Sequence, residues 1–218
     1  MKSFCVIGLG KFGTSLALSL AEEGNQVMIL DSDADKVTAL SDMFTNAVIG
    51  DATNEKVLRS AGVSDYECVV VSFTGNINHN ILLTIMLKEM GVKNIVARAS
   101  NEGHKKVLEH IGVDLIVDPE KDMGEKLAFR LTKDNVSECV EFSGYKLIEM
   151  KVPDEWKGKN LIDLDVRRKY GINVIAVTGD KDGEADVSPA PTRLFKEGEK
   201  MLVVGSDKDI EKLMKQFD

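Results

Sequence analysis

The chain has 218 residues, 43% of them hydrophobic and 29% charged. That is room for one large or two small globular domains, and the composition excludes a disordered, fibrous or disulfide-scaffold chain. Twenty-eight Lys and Arg against 36 Asp and Glu leave a formal net charge of −8. An acidic chain without a basic stripe is repelled by phosphate backbones, so no nucleic-acid partner is expected. No segment reaches the ~18 apolar residues of a membrane span, and the N-terminus carries no signal-peptide pattern. Cys5, Cys68 and Cys139 are odd in number and far apart, as expected for reduced thiols of a cytosolic protein.

Residues 1–118 alternate strand and helix. Short apolar runs at 4–7, 27–30, 47–49, 69–72, 95–97 and 115–117 are bounded by Gly, Asp or Asn, with helical stretches between them. Gly62, Gly91 and Gly112 fall where helix C-caps are expected. This alternation predicts right-handed crossovers on a parallel sheet. Asp118-Pro119 then opens a helix with an apolar stripe of Met123, Leu127 and Leu131 that ends near Asp134. From 139 the pattern changes. Residues 139–152 alternate as a strand does, a turn at 158–160 leads into a short helix reaching Arg168, strands are predicted at 172–177 and 201–204, and a helix at 207–217 closes the chain. The expected fold is α/β, a Rossmann-like doubly wound parallel sheet followed by a small α+β domain, with the boundary at 135–139.

The sharpest motif is Gly8-Leu9-Gly10-Lys11-Phe12-Gly13, between the first strand and the first helix. Gly8 allows the tight turn, Gly10 lets phosphates approach the backbone, and Gly13 lets the helix pack closely. The helix N-terminus then offers unpaired N–H groups to an anion. Asp31, 18 residues after Gly13, stands close to where a carboxylate accepts bonds from both ribose hydroxyls. With Asp33 and Asp35 close by, it disfavours the 2′-phosphate of NADP. The plainer reading of Asp31 is a turn and capping residue. Asp51, in Gly50-Asp51-Ala52-Thr53, has two readings of equal weight: it reaches an adenine edge, or it or Thr53 caps the helix beginning near Glu55. Gly75-Asn76 follows the fourth strand and Arg98 ends the fifth, as a phosphate clamp or as one half of a surface ion pair.

Catalytic signatures are missing. There is no Tyr-x-x-x-Lys, Gly-x-Ser-x-Gly or Cys-x-x-Cys, and Thr14 follows Gly13 where a Walker loop has Lys. His79, His104 and His110 lack metal-binding spacing. A nucleotide cradle without a catalytic apparatus points to sensing rather than turnover.

The glycine motif, Gly50-Asp51-Ala52-Thr53, Asp118-Pro119-Glu120-Lys121-Asp122-Met123-Gly124 and Asp165-Val166-Arg167-Arg168-Lys169-Tyr170-Gly171 together resemble the Ktr/Trk potassium-uptake regulators, and the Ktr type most closely. The resemblance spans essentially the whole chain. It implies an RCK N-terminal domain at 1–136, including a crossover helix at 119–134 that swaps across a dimer, and an RCK C-terminal domain at 137–218. It implies a cytoplasmic regulatory subunit, peripheral at the inner face of the cell membrane. Homodimers would assemble into an octameric ring under a separate membrane-embedded potassium channel subunit and gate it through ATP or ADP, with NAD or another adenine nucleotide as the variant.

By the same resemblance, Gly8, Gly10, Lys11, Phe12, Gly13, Asp31, Asp51, Ala52, Thr53, Gly75, Asn76 and Arg98 are the nucleotide-site positions. Lys11 stands where relatives usually carry Arg, a point charge in place of a bidentate fork. Glu120 matches a position associated with Mg²⁺ or Ca²⁺ near the terminal phosphates, and otherwise simply favours its helix N-terminus. Leu161, Asp165, Arg167, Asn173, Val174 and Pro189 match a cyclic di-AMP site. Taken alone, Arg167 is a salt-bridging residue, Asn173 a turn residue, and the Met123 stripe intrachain core. The rival function is an NAD-dependent oxidoreductase with a small substrate domain.

Overall fold

The computed structural model describes residues 1–73, 75–133, 135–179 and 185–217. The chain divides into two compact units, Met1–Asp122 and Met123–Asp218.

The first unit runs β1 (Ser3–Ile7), α1 (Lys11–Glu22), β2 (Gln26–Asp31), α2 (Ala34–Leu40), β3 (Asn46–Ile49), α3 (Glu55–Ser60), β4 (Cys68–Val71), α4 (Ile77–Glu89), β5 (Ile95–Arg98), α5 (Glu102–Ile111) and β6 (Leu115–Val117), and reaches the start of α6 (Pro119–Thr132). Its six strands pair in parallel in the order β3-β2-β1-β4-β5-β6, the doubly wound order with its switch point between β1 and β4. The strands are apolar on both sides because helices cover both faces. Cys5, Ile7, Met28, Leu30, Val69, Val71, Ile95 and Ala97 face one core with Leu58, Leu83, Leu87 and Leu108. Their neighbours Val6, Val27, Ile29 and Val70 face the other, with Ala17 and Val37. All three cysteines are free thiols, and burial raises their pKa values.

The division between the units falls within α6. No residue of α6 is fully buried, and Met123, Leu127 and Leu131 are exposed, so the expectation that this stripe is intrachain core is not met. Asp134, its expected end, lies outside the described residues.

The second unit contains β7 (Val136–Phe142), β8 (Tyr145–Lys151), α7 (Leu161–Leu164), α8 (Val166–Tyr170), β9 (Ile172–Thr178), β10 (Ala185–Val187), β11 (Lys200–Ser206) and α9 (Asp207–Phe217). Its sheet is antiparallel, in the order β10-β9-β11-β8-β7. The single strand expected over 139–152 is in fact a hairpin. Ser143 and Gly144 both take positive φ, 48° and 82°, a two-residue turn whose twist matches the flanking strands. The expected short helix is broken in two at Asp165, which has φ 45°. Trp156 anchors the core, with the rings of Tyr170, Phe195 and Phe217 centred 5.1–5.9 Å away. Among the described residues, no helix is long and apolar enough to cross a membrane.

Candidate functional site: the crevice at the glycine loop and a second cavity

The loop at residues 8–13 leaves β1 at the switch point of the sheet. Gly8 has φ +99°, and a Cβ there would meet Phe73 and the Ser72 hydroxyl at 3.0–3.1 Å. A Cβ on Gly13 would lie 2.1 Å from the Gly8 carbonyl oxygen and 2.3 Å from Ser72 Oγ. Gly10 is the opposite case, with nothing within 4 Å of its missing Cβ. Two of the glycines are therefore demanded by packing within the loop, and the third keeps open space beside the backbone. Ser72 Oγ donates to the Gly8 carbonyl at 2.5 Å, pinning the loop to the end of β4.

The helices around this crevice differ at their N-termini. Asp33, Asn54, Asn76 and Asn101 cap α2, α3, α4 and α5 through their side chains. The N-cap of α1 is Gly10, which supplies no side-chain acceptor, and its first turn carries no acidic residue. The first-turn N–H groups of α1 thus lack a side-chain cap and lie beside the open space at Gly10, the arrangement that favours an anion.

Asp31 stands at the end of β2 against this loop. Its Oδ2 accepts from Leu9 N–H at 2.5 Å and its Oδ1 from Asp33 N–H at 2.9 Å. Asp51 closes a tight turn, its Oδ1 accepting from Thr53 N–H and Oγ1 at 2.8 Å each. Those two bonds hold its carboxyl below the usual carboxylate range, with a smaller contribution from His79. Asp51 and Thr53 do not cap α3; Asn54 does, accepting from Lys56 N–H. The side chain of Asn76 is likewise engaged, accepting from Asn78 and His79 N–H groups as the α4 cap. Ala52 is buried, Lys11 stands exposed on the first turn of α1, and Gly75 has open space where a Cβ would be.

Arg98 closes the crevice. Its guanidinium lies 5.8 Å from the centre of the Phe12 ring, 3.5 Å from the Ser72 carbonyl oxygen, and pairs with the Glu120 carboxylate. Its Nε is buried without a hydrogen-bond partner. The ion-pair reading of Arg98 is thus met, and the pair lies beside the glycine loop through the Phe12 ring. Ser72 escapes a sequence search because a lone serine after a strand carries no spacing signal. Among the described residues no three His, Cys, Asp or Glu groups cluster to hold a metal. A cation at Glu120 would therefore need phosphate oxygens or a second subunit to complete its shell.

In the second unit, Leu161, Asp165, Arg167, Asn173, Val174 and Pro189 all line one cavity of about 650 Å³. The left-handed Asp165 lies in its wall and separates α7 from α8, so that Leu161 and Arg167 border the same space.

A parallel sheet of this order, with a glycine loop at its switch point and an acidic residue ending the second strand, defines a Rossmann-type nucleotide-binding protein. Residues 4–119 match the TrkA-N domain and residues 147–218 the TrkA-C domain. The chain is 42% identical over 216 residues to the Ktr system potassium uptake protein C of Bacillus subtilis, covering 99% of this chain and 97% of that one. It is 40% identical over 212 residues to the Ktr system potassium uptake protein A of the same organism, covering 97% and 95%. The chain belongs to the TrkA-N/TrkA-C family of Ktr potassium uptake proteins. Solved structures of the GsuK RCK domain and of the GsuK channel bound to NAD share its fold, with TM-scores of 0.51 and 0.54 at 23% and 22% identity. They cover 99% and 100% of this chain, which spans 46% and 38% of theirs.

Proposed function

We infer that this protein is the nucleotide-sensing regulatory subunit of a potassium uptake system and has no catalytic turnover of its own. The observation that carries this reading is the open backbone at Gly10 beneath the uncapped α1, flanked by Asp31 and Arg98, in a chain so similar to Ktr system proteins. The α1 N–H groups would take the phosphates, Asp31 the ribose hydroxyls, and Lys11 and Arg98 the terminal phosphate charge. Asp51, Ala52 and Thr53 border the adenine end, and Gly75 and Asn76 the far wall. Ligands that differ by one phosphate make different contacts with these cations, and differential contact is what a population shift requires. ATP and ADP are the proposed effectors. NAD is the variant, because the Asp31 carboxylate suits any unphosphorylated adenosine ribose.

The exposed Met123, Leu127 and Leu131 face of α6 fits a second copy of this chain, and dimers would assemble into a ring. The partner is a separate membrane-embedded potassium channel subunit, which holds the protein at the cytoplasmic face. Glu120 would contribute one carboxylate to a Mg²⁺ or Ca²⁺ ion bound with the phosphates. The cavity of the second unit would take cyclic di-AMP, with Arg167 on phosphate and Asn173 on a base edge. Calorimetric titration with ATP, ADP, NAD and cyclic di-AMP tests the set. Binding of NAD alone, with turnover of an added hydroxy-acid substrate, would instead support an oxidoreductase.

A further inference from the structure

Glu120 and Arg98 are unequal partners. The Arg98 side chain is only 16% exposed, whereas that of Glu120 is 66% exposed. The guanidinium is fixed from three sides. It is carried by the end of β5, faces the Phe12 ring of α1, and approaches the Ser72 carbonyl at the end of β4. Glu120 belongs to the first turn of α6 and is free to swing into water. A second ion pair lies beside the first: Lys121 Nζ sits 2.8 Å from Glu102 on the first turn of α5. The start of α6 is thus tied by two adjacent carboxylate–cation pairs to the elements bordering the crevice, and only the first pair uses a cation that faces the glycine loop.

We propose that Glu120 is a built-in competitor for the phosphate clamp. In the ligand-free protein its carboxylate holds the Arg98 guanidinium, and a nucleotide phosphate displaces it. The inference rests on the nucleotide reading above. The Glu120 carboxylate already takes Nη2 and the Ser72 carbonyl draws on Nη1, which leaves only the buried Nε unpartnered, so an incoming phosphate reaches the guanidinium at full strength only by taking over the donor that Glu120 holds. The exposed partner moves because it regains solvation by leaving, while Arg98 stays to meet the phosphate. Displacement frees a carboxylate beside newly arrived phosphate oxygens, where a divalent cation relieves the repulsion between them. Phosphate binding at the loop is thereby converted into release of the first turn of α6, the helix in which the chain passes from one unit to the other.

The sign of one substitution separates this role from a cation ligand. In EDTA, Glu120→Gln removes the competitor, and ADP should bind about two- to fivefold more tightly than to the unchanged protein, as loss of a partly screened ion pair implies. With Mg²⁺ and ATP the gain should vanish, because the cation has lost its carboxylate. Glu102→Gln controls for bulk charge and should leave ADP affinity in EDTA unchanged. Equal or weaker ADP binding by Glu120→Gln in EDTA overturns the competition, as does an equal gain in Glu102→Gln. Failure of the unchanged protein to bind any adenine nucleotide overturns the nucleotide reading itself, and the competition with it.

Discussion

Alanine at Gly13 and alanine at Gly10 should fail in different ways. At Gly13 the added Cβ would stand 2.1 Å from the Gly8 carbonyl oxygen and 2.3 Å from Ser72 Oγ, well inside contact distance. The neighbours on both sides are held, since Gly8 N–H donates to the Leu30 carbonyl at 2.8 Å and Ser72 N–H to the Ile7 carbonyl at 2.9 Å. Overpacking of this kind costs about 1–3 kcal/mol, and helix propensity returns at most about 1 kcal/mol on replacing Gly by Ala. The clash lies at the severe end, so a net loss of about 2 kcal/mol is expected. Gly10 takes φ −74° and ψ −178°, which alanine adopts without strain, and a Cβ there meets nothing within 4 Å. Gly10→Ala should therefore leave stability within about 0.5 kcal/mol. Its methyl group would occupy the approach to the α1 N–H groups, so ADP affinity should fall by about tenfold, or 1.4 kcal/mol. Urea titration and calorimetry on both variants distinguish the effects. Unchanged ADP affinity in Gly10→Ala would remove the open backbone from the phosphate seat. A fully stable Gly13→Ala would show that the loop is not packed as described.

Three further outcomes follow from other residues. Asp31→Ala should weaken ADP binding by about 1–3 kcal/mol and release Leu9 N–H; unchanged affinity by calorimetry would place the ribose elsewhere. Arg167→Ala should lower cyclic di-AMP affinity while ADP affinity holds, whereas equal loss of both would indicate a folding defect. His104 is buried, and its Nδ1 accepts from Ser100 N–H at 3.2 Å, which requires the neutral ring. Burial lowers its pKa below the ordinary 6.5. The unfolded chain therefore takes up the proton first as pH falls. The stability His104 supports is fully present above about pH 6.5 and declines as pH drops from there toward the folded value. Urea midpoints at pH 7.5 and 5.5 should draw together in His104→Gln, and an unaltered gap would acquit this histidine.

Much of the first unit was legible because its signals are local. Continuous apolar strands, punctuating glycines and a glycine fingerprint each follow from a few neighbouring residues, and together they dictate a parallel sheet with a crevice at its switch point. The second unit was less legible. Its hairpin turns at Ser143-Gly144, where a serine takes a left-handed conformation that sequence rarely advertises. The short, exposed β10 has no apolar alternation to announce it. The helix break at Asp165 depends on an aspartate in the left-handed region, a conformation that Asp tolerates better than most residues but does not impose. The capping roles of Asn54 and Asn76 were missed for another reason. Several polar residues crowd each strand end, and only the fold decides which one reaches the N–H groups. The Arg98–Glu120 pair joins residues 22 positions apart, beyond any local pattern.

The central claim is that the crevice above the glycine loop senses adenine nucleotides. Thermal stabilisation of the purified protein by ATP, ADP, NAD and NADP, with and without Mg²⁺, tests it most directly. A ligand at a hundred times its Kd adds about 2.7 kcal/mol of stability. ATP and ADP should raise Tm, NADP should not, and Gly10→Ala should cut the rise to about half at equal ligand concentration. Stabilisation by NADP equal to that by ADP, or a response to ATP that survives intact in Gly10→Ala, would contradict the assignment.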